Sequence, residues 1–260
     1  MIFRPILVAA CVAMTATGAY AEADKKDDIL PLVPVSPCQT HDKDAEAKAQ
    51  GLADKFRTAL RSGDRAAILG MVTEMEAVMA AAPAPYYIER CENGINIYTS
   101  NMTAAILVGA MAAGDKDSKA NNNLNLHGQT AYATLAFGLG WAYADRRDYD
   151  RCITVLEDGL KRDPFDELMI AEELYCMGQD RRNEETVAKA DGYLNNFMLG
   201  LSDLGKAAIL RRKGYALIEL ARWDEAEKAY KDSLKLDPKS QIAKSELEVI
   251  KAQKKRLKAS

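Results

Sequence analysis

The sequence predicts an all-α protein built from repeated helical hairpins, with one short stretch that reads as a small β-hairpin or as irregular helix. Three observations carry this. The 260 residues are 48% hydrophobic and 28% charged, with only 7% aromatic residues and 8 prolines. That is a globular composition, and it favours helix over a sandwich of many short strands. Apolar residues recur at helical spacing through most segments. One stretch also occurs twice, at 140–164 and 214–238, with a glycine, an aromatic residue and a closing Asp-Pro in the same order. The formal net charge of −3 leaves no basic footprint for nucleic acid.

Residues 1–21 read as a cleaved export signal. Arg4 is the basic start, Ile6 to Ala16 the apolar run, and Ala19-Tyr20-Ala21 the small-x-small cleavage site. The run is shorter than the roughly 20 apolar residues of a membrane span. The rival reading makes Val8-Ala9-Ala10-Cys11 a lipoprotein processing box, and the apolar sequence beyond Cys11 argues against it. Residues 22–37, with Pro31, Pro34 and Pro37, form an extended linker. Export leaves four cysteines, an even number that suits disulfides in an oxidising compartment. Cys38 with Cys91 and Cys152 with Cys176 keep each bond within one region. The alternative for Cys152 and Cys176 is a pair of buried thiols.

Residues 38–125 form an N-terminal helical region. Ala45, Ala49, Leu52, Phe56 and Leu60 mark one face of a helix over 42–61. Ser62-Gly63-Asp64 breaks it, and Asp64 caps a second helix striped by Ile68, Leu69, Val72, Met75 and Met79. Pro83 and Pro85 end that helix. Asn93-Gly94 between two short runs in 86–100 signals a hairpin, although neither face is cleanly apolar. Helix returns from Thr103 to Ala113, and 114–125 is a polar break.

Residues 126–260 carry the repeats. Frames of 34 residues starting at Ala133 and Ala207 superimpose Gly140 on Gly214, Tyr149 on Trp223, Cys152 on Ala226, Leu156 on Tyr230, Leu160 on Leu234 and Asp163-Pro164 on Asp237-Pro238. At these positions the sequence resembles the tetratricopeptide repeat family, which implies three helical hairpins stacked into a superhelix. A middle repeat fits between the two, with Leu174 in the glycine place, Thr186 in the small-residue place and six extra residues at 199–204. A last helix over 240–257 would cap the stack through Ala243, Leu247, Ile250 and Leu257.

The resemblance implies that first helices line a concave groove for a peptide or partner helix. Counting nine into frames at Ala133, Glu167 and Ala207 gives Trp141, Tyr175 and Tyr215, with Phe137, Arg211 and Arg212 beside them. Aromatic rings flanked by arginines would grip an apolar or acidic segment. The other reading has the rings filling space between helices or packing under the N-terminal region. Some family members clamp a chain-terminal carboxylate. Here Phe137 and Trp141 stand where that clamp has its first lysine and asparagine, and only Arg212 matches it.

No active-site pattern is present. His41 and His127 sit in no metal-ligand spacing, and no phosphate loop, Cys-x-x-Cys or nucleophile elbow occurs. The reading is therefore a non-enzymatic interaction scaffold of the cell envelope, periplasmic or secreted, with a protein or peptide partner and no cofactor or metal. Alternatives are an accessory subunit of an envelope enzyme or transport complex, and a self-associating structural protein. The basic run Lys251, Lys254, Lys255, Arg256 and Lys258 is a solvated helix end or a contact for an anionic membrane.

Overall fold

The computed structural model of the protein describes residues 35–113 and 122–259. The export signal at 1–21, the linker up to residue 34 and positions 114–121 of the polar break lie outside the described residues.

β1 (Ser36–Pro37) opens the described chain. α1 (Lys43–Ser62) begins where the Asp42 carboxylate accepts the backbone N–H of Asp44 and Ala45. It ends at Gly63, whose φ of 69° is the left-handed conformation that suits glycine. The single second helix expected from the apolar stripe is two helices, α2 (Arg65–Gly70) and α3 (Val72–Ala80), parted by a turn at Met71. Asp64 caps α2 through the Ala67 N–H at 3.0 Å. The stripe still faces inward, with Ile68, Val72 and Met75 buried.

The stretch at 86–100 is a hairpin. β2 (Ile88–Cys91) pairs antiparallel with β3 (Gly94–Tyr98), Ile88 opposite Ile97. The turn residues are Glu92 and Asn93, and Gly94 leaves the turn with φ 127°. α4 (Met102–Ala113) follows, and β4 (Leu124–His127) returns beside β3 in parallel. With β1 parallel to β2, the hairpin becomes the middle of a four-stranded sheet ordered β1-β2-β3-β4. Sequence reasoning placed β1 in the linker and β4 across the end of the polar break and the start of the repeat region, with no strand at either. A hairpin that is marginal alone is here flanked by both strands, and Ile88, Ile95 and Ile97 are fully buried.

Three helical hairpins follow: α5 (Ala131–Asp145) with α6 (Tyr149–Arg162), α7 (Glu167–Gln179) with α8 (Asn183–Asn195), and α9 (Asp203–Glu219) with α10 (Trp223–Leu236). Each hairpin turns on one non-glycine residue of positive φ: Arg147 (59°), Arg181 (63°) and Ala221 (56°). These lie 34 and 40 residues apart, which fixes the register of the middle repeat. The extra residues fall between α8 and α9, in a segment with a 3-10 turn at Phe197–Leu199, slightly earlier than expected.

Gly140 and Gly214 lie in close contact with the second helices. A Cβ on Gly140 would stand 2.5 Å from the Leu156 side chain, and one on Gly214 would stand 2.7 Å from Tyr230. In the middle repeat the sizes are exchanged. Leu174 holds the glycine place, and the position equivalent to Leu156 and Tyr230 is Ala190, both residues buried.

α11 (Gln241–Ala259) packs on α10. Ala243 and Ile250 are fully buried and Leu247 partly, but Leu257 is 54% exposed, against expectation. α11 has 19 residues and α10 only 14, so at 1.5 Å rise per residue the last turns of α11 extend past the surface they could cover. Part of the basic run is also tied down, since Lys254 pairs with both Asp224 and Glu227.

One core crosses the boundary expected near residue 125, from Ala49 and Leu52 through Ile88 and Val108 to Leu156 and Ile209. Polar ties reinforce it: Arg65 forks onto Asp145 at 2.7 Å, and Tyr143 donates to Glu76 at 2.7 Å. Cys38 is bonded to Cys91, and Cys152 to Cys176, the pairs that sequence position suggested. The second bond joins α6 to α7. No helix among the described residues is long and apolar enough to cross a membrane.

Candidate partner-binding site

The six residues singled out from the repeat frames divide into two groups. Phe137 and Trp141 lie on the face of α5 that receives α1, α2 and α3. Both are half-buried against Phe56, Ala59 and Ile68, and the Phe137 and Phe56 rings meet edge-on at 6.1 Å. Frame counting identified the face of α5. It could not show that another part of the chain packs there.

Tyr175, Arg211, Arg212 and Tyr215 meet in one cleft of about 240 Å³. α7 contributes Leu174, Tyr175 and Gln179, and α9 contributes Ala208, Arg211, Arg212 and Tyr215. Tyr230 of α10 and Ile242 and Glu246 of α11 complete the wall. They were missed because the frame directs attention to first helices alone. The apolar stripe of α11 located its buried face and left its other face unassigned.

The Arg212 guanidinium lies over the Tyr175 ring at 4.8 Å and donates through Nε to the Ala171 carbonyl at 3.2 Å. This fixes the plane of the guanidinium, and among the described residues its two terminal nitrogens make no hydrogen bond. Burial pulls the Arg212 pKa down, and the neighbouring Glu172 carboxylate counters it. Burial in turn pushes Glu172 up, with Arg212 opposing. Arg211 is differently placed. It donates to Asp237 at 3.1 Å and Ser233 at 3.3 Å, and so ties α9 to the end of α10. The cleft thus presents a held cation, three tyrosine rings and the apolar side chains of Leu174, Ala208 and Ile242, with Glu246 on its rim. That set can take an acidic or carbonyl-bearing group next to an apolar or aromatic one.

A larger cleft of about 820 Å³ opens where the starts of α4, α7 and α9 meet the end of α8. Its walls include Met102, Leu168 and Phe197, all of them more than 60% exposed. Among the described residues no group of three or more His, Cys, Asp and Glu could hold a metal ion.

The Tetratricopeptide repeat family model matches residues 207–240, which span most of α9 and all of α10. No curated protein matches the chain in sequence. Among solved structures, the chain is similar to the first TPR domain of the human RPAP3 protein, at 20% identity and a TM-score of 0.43, covering 49% of this chain and 96% of that one. It is similar to the first TPR of Spaghetti (RPAP3) bound to an HSP90 peptide, at 21% identity and 0.41, covering 46% and 91%. A MamA RS-1 ArsTM double mutant aligns over 80% of this chain and 85% of its own, at 14% identity and 0.44.

Proposed function

We propose that this protein, a member of the tetratricopeptide repeat family, is a protein-protein interaction scaffold that acts in the cell envelope and holds its partner in the cleft between α7 and α9. The observation that carries the reading is the convergence of Tyr175, Arg212 and Tyr215 from two successive first helices onto one cleft. Arg212 is held there by a ring and a carbonyl, and among the described residues its terminal nitrogens make no hydrogen bond. The chemistry fits a short segment with an acidic side chain beside an apolar one. The envelope location rests on the export signal read at 1–21 and on the two disulfides.

The test is capture of partners from envelope extract with wild-type protein and with Tyr175→Ala plus Tyr215→Ala. The double variant is expected to lose the partners that wild type retains, and Arg212→Ala to weaken them. Recovery of the same partners by all three proteins would sink the cleft reading. Trp141 is not a useful probe, because it packs under the N-terminal helices.

A second reading, self-association, is favoured by the exposed apolar rim of the larger cleft. Sedimentation velocity decides it. A monomer at all concentrations removes it, and a dimer that Phe197→Ser plus Leu168→Ser dissociates supports it.

A further inference from the structure

His41 lies in the segment between Cys38 and α1, and both of its ring nitrogens meet carboxylates. Nδ1 is 2.8 Å from Glu46 Oε1 on α1, and Nε2 is 3.0 Å from Glu89 Oε2 on β2. A neutral imidazole carries one N–H and one lone pair, so it can satisfy only one of these contacts. The other would then set a lone pair against a carboxylate oxygen. Only the imidazolium donates to both.

Glu89 is fully buried, and it also accepts the backbone N–H of Gln39 at 3.1 Å. The buried carboxylate is thus bound to the same short segment at two points. Every element packed around His41 presents a titratable or charged group. α1 gives Glu46, β2 gives Glu89, Tyr86 precedes β2 and β3 gives Tyr98, while Lys43 of α1, His127 of β4 and Tyr132 of α5 line the adjoining cleft. Tyr86 also donates to Glu46 at 3.3 Å. Its ring meets His41 edge-on at 5.0 Å. Tyr98 stacks on His127 at 4.8 Å. A cleft of about 430 Å³ opens beside the cluster, with Glu46, Tyr86, Tyr98 and His127 on its walls.

We propose that His41 is a proton-operated clasp: with the ring protonated, it fastens the segment carrying β1 and Cys38 to the sheet and to α1, and with the proton gone the segment loosens and Glu46, on the cleft wall, loses its cationic partner and keeps only the Tyr86 hydroxyl. The direction of titration agrees. Burial alone would lower the His41 pKa, but the Glu89 carboxylate, with Glu46 behind it, outweighs burial and raises it above 6.5. The folded protein therefore holds this proton more tightly than the unfolded chain does. The clasp is fully present below the free-imidazole value, and it is lost as pH rises through the raised folded value. The disulfide Cys38–Cys91 remains as the tether once the clasp opens.

Hydrogen exchange on the oxidised full-length chain tests this, read at about pH 5.5 and about pH 8.5 and corrected for intrinsic exchange. Amides of residues 39–46 are expected to lose protection by about tenfold or more across that range, while α9 and α10 stay unchanged. In His41→Gln the same amides should exchange fast at both pH values, with no step between them. NMR titration of the histidine rings leaves His41 itself unchanged. It should place one ring, assigned with His127→Gln, above the free value. A segment whose protection is independent of pH, a step that survives in His41→Gln, or a His41 ring that titrates at or below the free value would each overturn the proposal.

Discussion

Asp163 is fully buried, and its carboxylate receives four hydrogen bonds. The Thr99 hydroxyl donates at 2.7 Å, the Ser100 N–H at 3.0 Å, the Ser100 hydroxyl at 3.2 Å and the Phe165 N–H at 3.2 Å. Three of these come from the turn between β3 and α4, so the residue that closes the first repeat also anchors the sheet. Burial pushes its pKa up, and the bonds from Ser100 and Thr99 pull it back. Asp237 holds the same place in the last repeat, half-buried, and takes Arg211 instead. The two Asp-Pro pairs are indistinguishable in sequence, and their partners come from elsewhere in the chain. Asp163→Ala would leave several buried donors without an acceptor, and a loss of about 3 kcal/mol is expected. Asp237→Ala gives up a partly solvated pair, for about 1 kcal/mol or less. Urea unfolding of both variants checks the contrast, and equal losses would refute the anchoring role.

At the scale of the element, the hairpins follow one rule of fit: one partner of each contact is small. Gly140 faces Leu156 and Gly214 faces Tyr230, while Leu174 and Ala190 exchange the sizes. This explains how the middle repeat departs from the glycine pattern and keeps its register. Gly214→Leu alone should overpack against Tyr230 and cost about 1–3 kcal/mol. Combined with Tyr230→Ala, it reproduces the Leu174 and Ala190 arrangement. The double variant should therefore be more stable than the sum of the two single losses, by about 1 kcal/mol or more. Strict additivity in thermal or urea unfolding would show that the pair is not in contact. The hairpin turns give a second test. Ala221 sits at φ 56°, a conformation that costs a residue with a Cβ about 1 kcal/mol or more. Glycine escapes that strain but carries greater unfolded-state entropy. Ala221→Gly should therefore stabilise the protein by a net amount of about 0.5 kcal/mol, read as a rise in Tm. No change or a fall in Tm would mean that the strain does not exceed the entropy cost of glycine.

Across the whole molecule, legibility followed the range of the interactions. The repeats could be read because glycine, aromatic residue and proline act within a single hairpin and recur at fixed spacing. The sheet could not. β1 is two residues long, and Leu124 and Leu126 of β4 are both about 40% exposed, so neither strand carries a periodic signal of its own. Their pairing is decided by β2 and β3, far away in sequence. The candidate site was half legible for the same reason. Tyr175, Arg212 and Tyr215 face a cleft walled mainly by the repeat helices, whereas Phe137 and Trp141 are half-buried against helices outside the repeats. The disulfides report on this long-range assembly. Cys152 and Cys176 are fully buried between α6 and α7, whereas Cys38, just after the edge strand β1, is exposed and Cys91, at the end of β2, is half-buried. Thiolate attack needs access to sulfur. A mild reductant under native conditions should therefore open Cys38–Cys91 about tenfold or more faster than Cys152–Cys176. Alkylation followed by peptide mass analysis would read the order directly. The first opening releases a loop closure of about 4 kcal/mol from the N-terminal segment and leaves the repeat stack intact. The second should appear only with global unfolding, and equal labelling of all four cysteines from the start would contradict the burial of the α6–α7 bond.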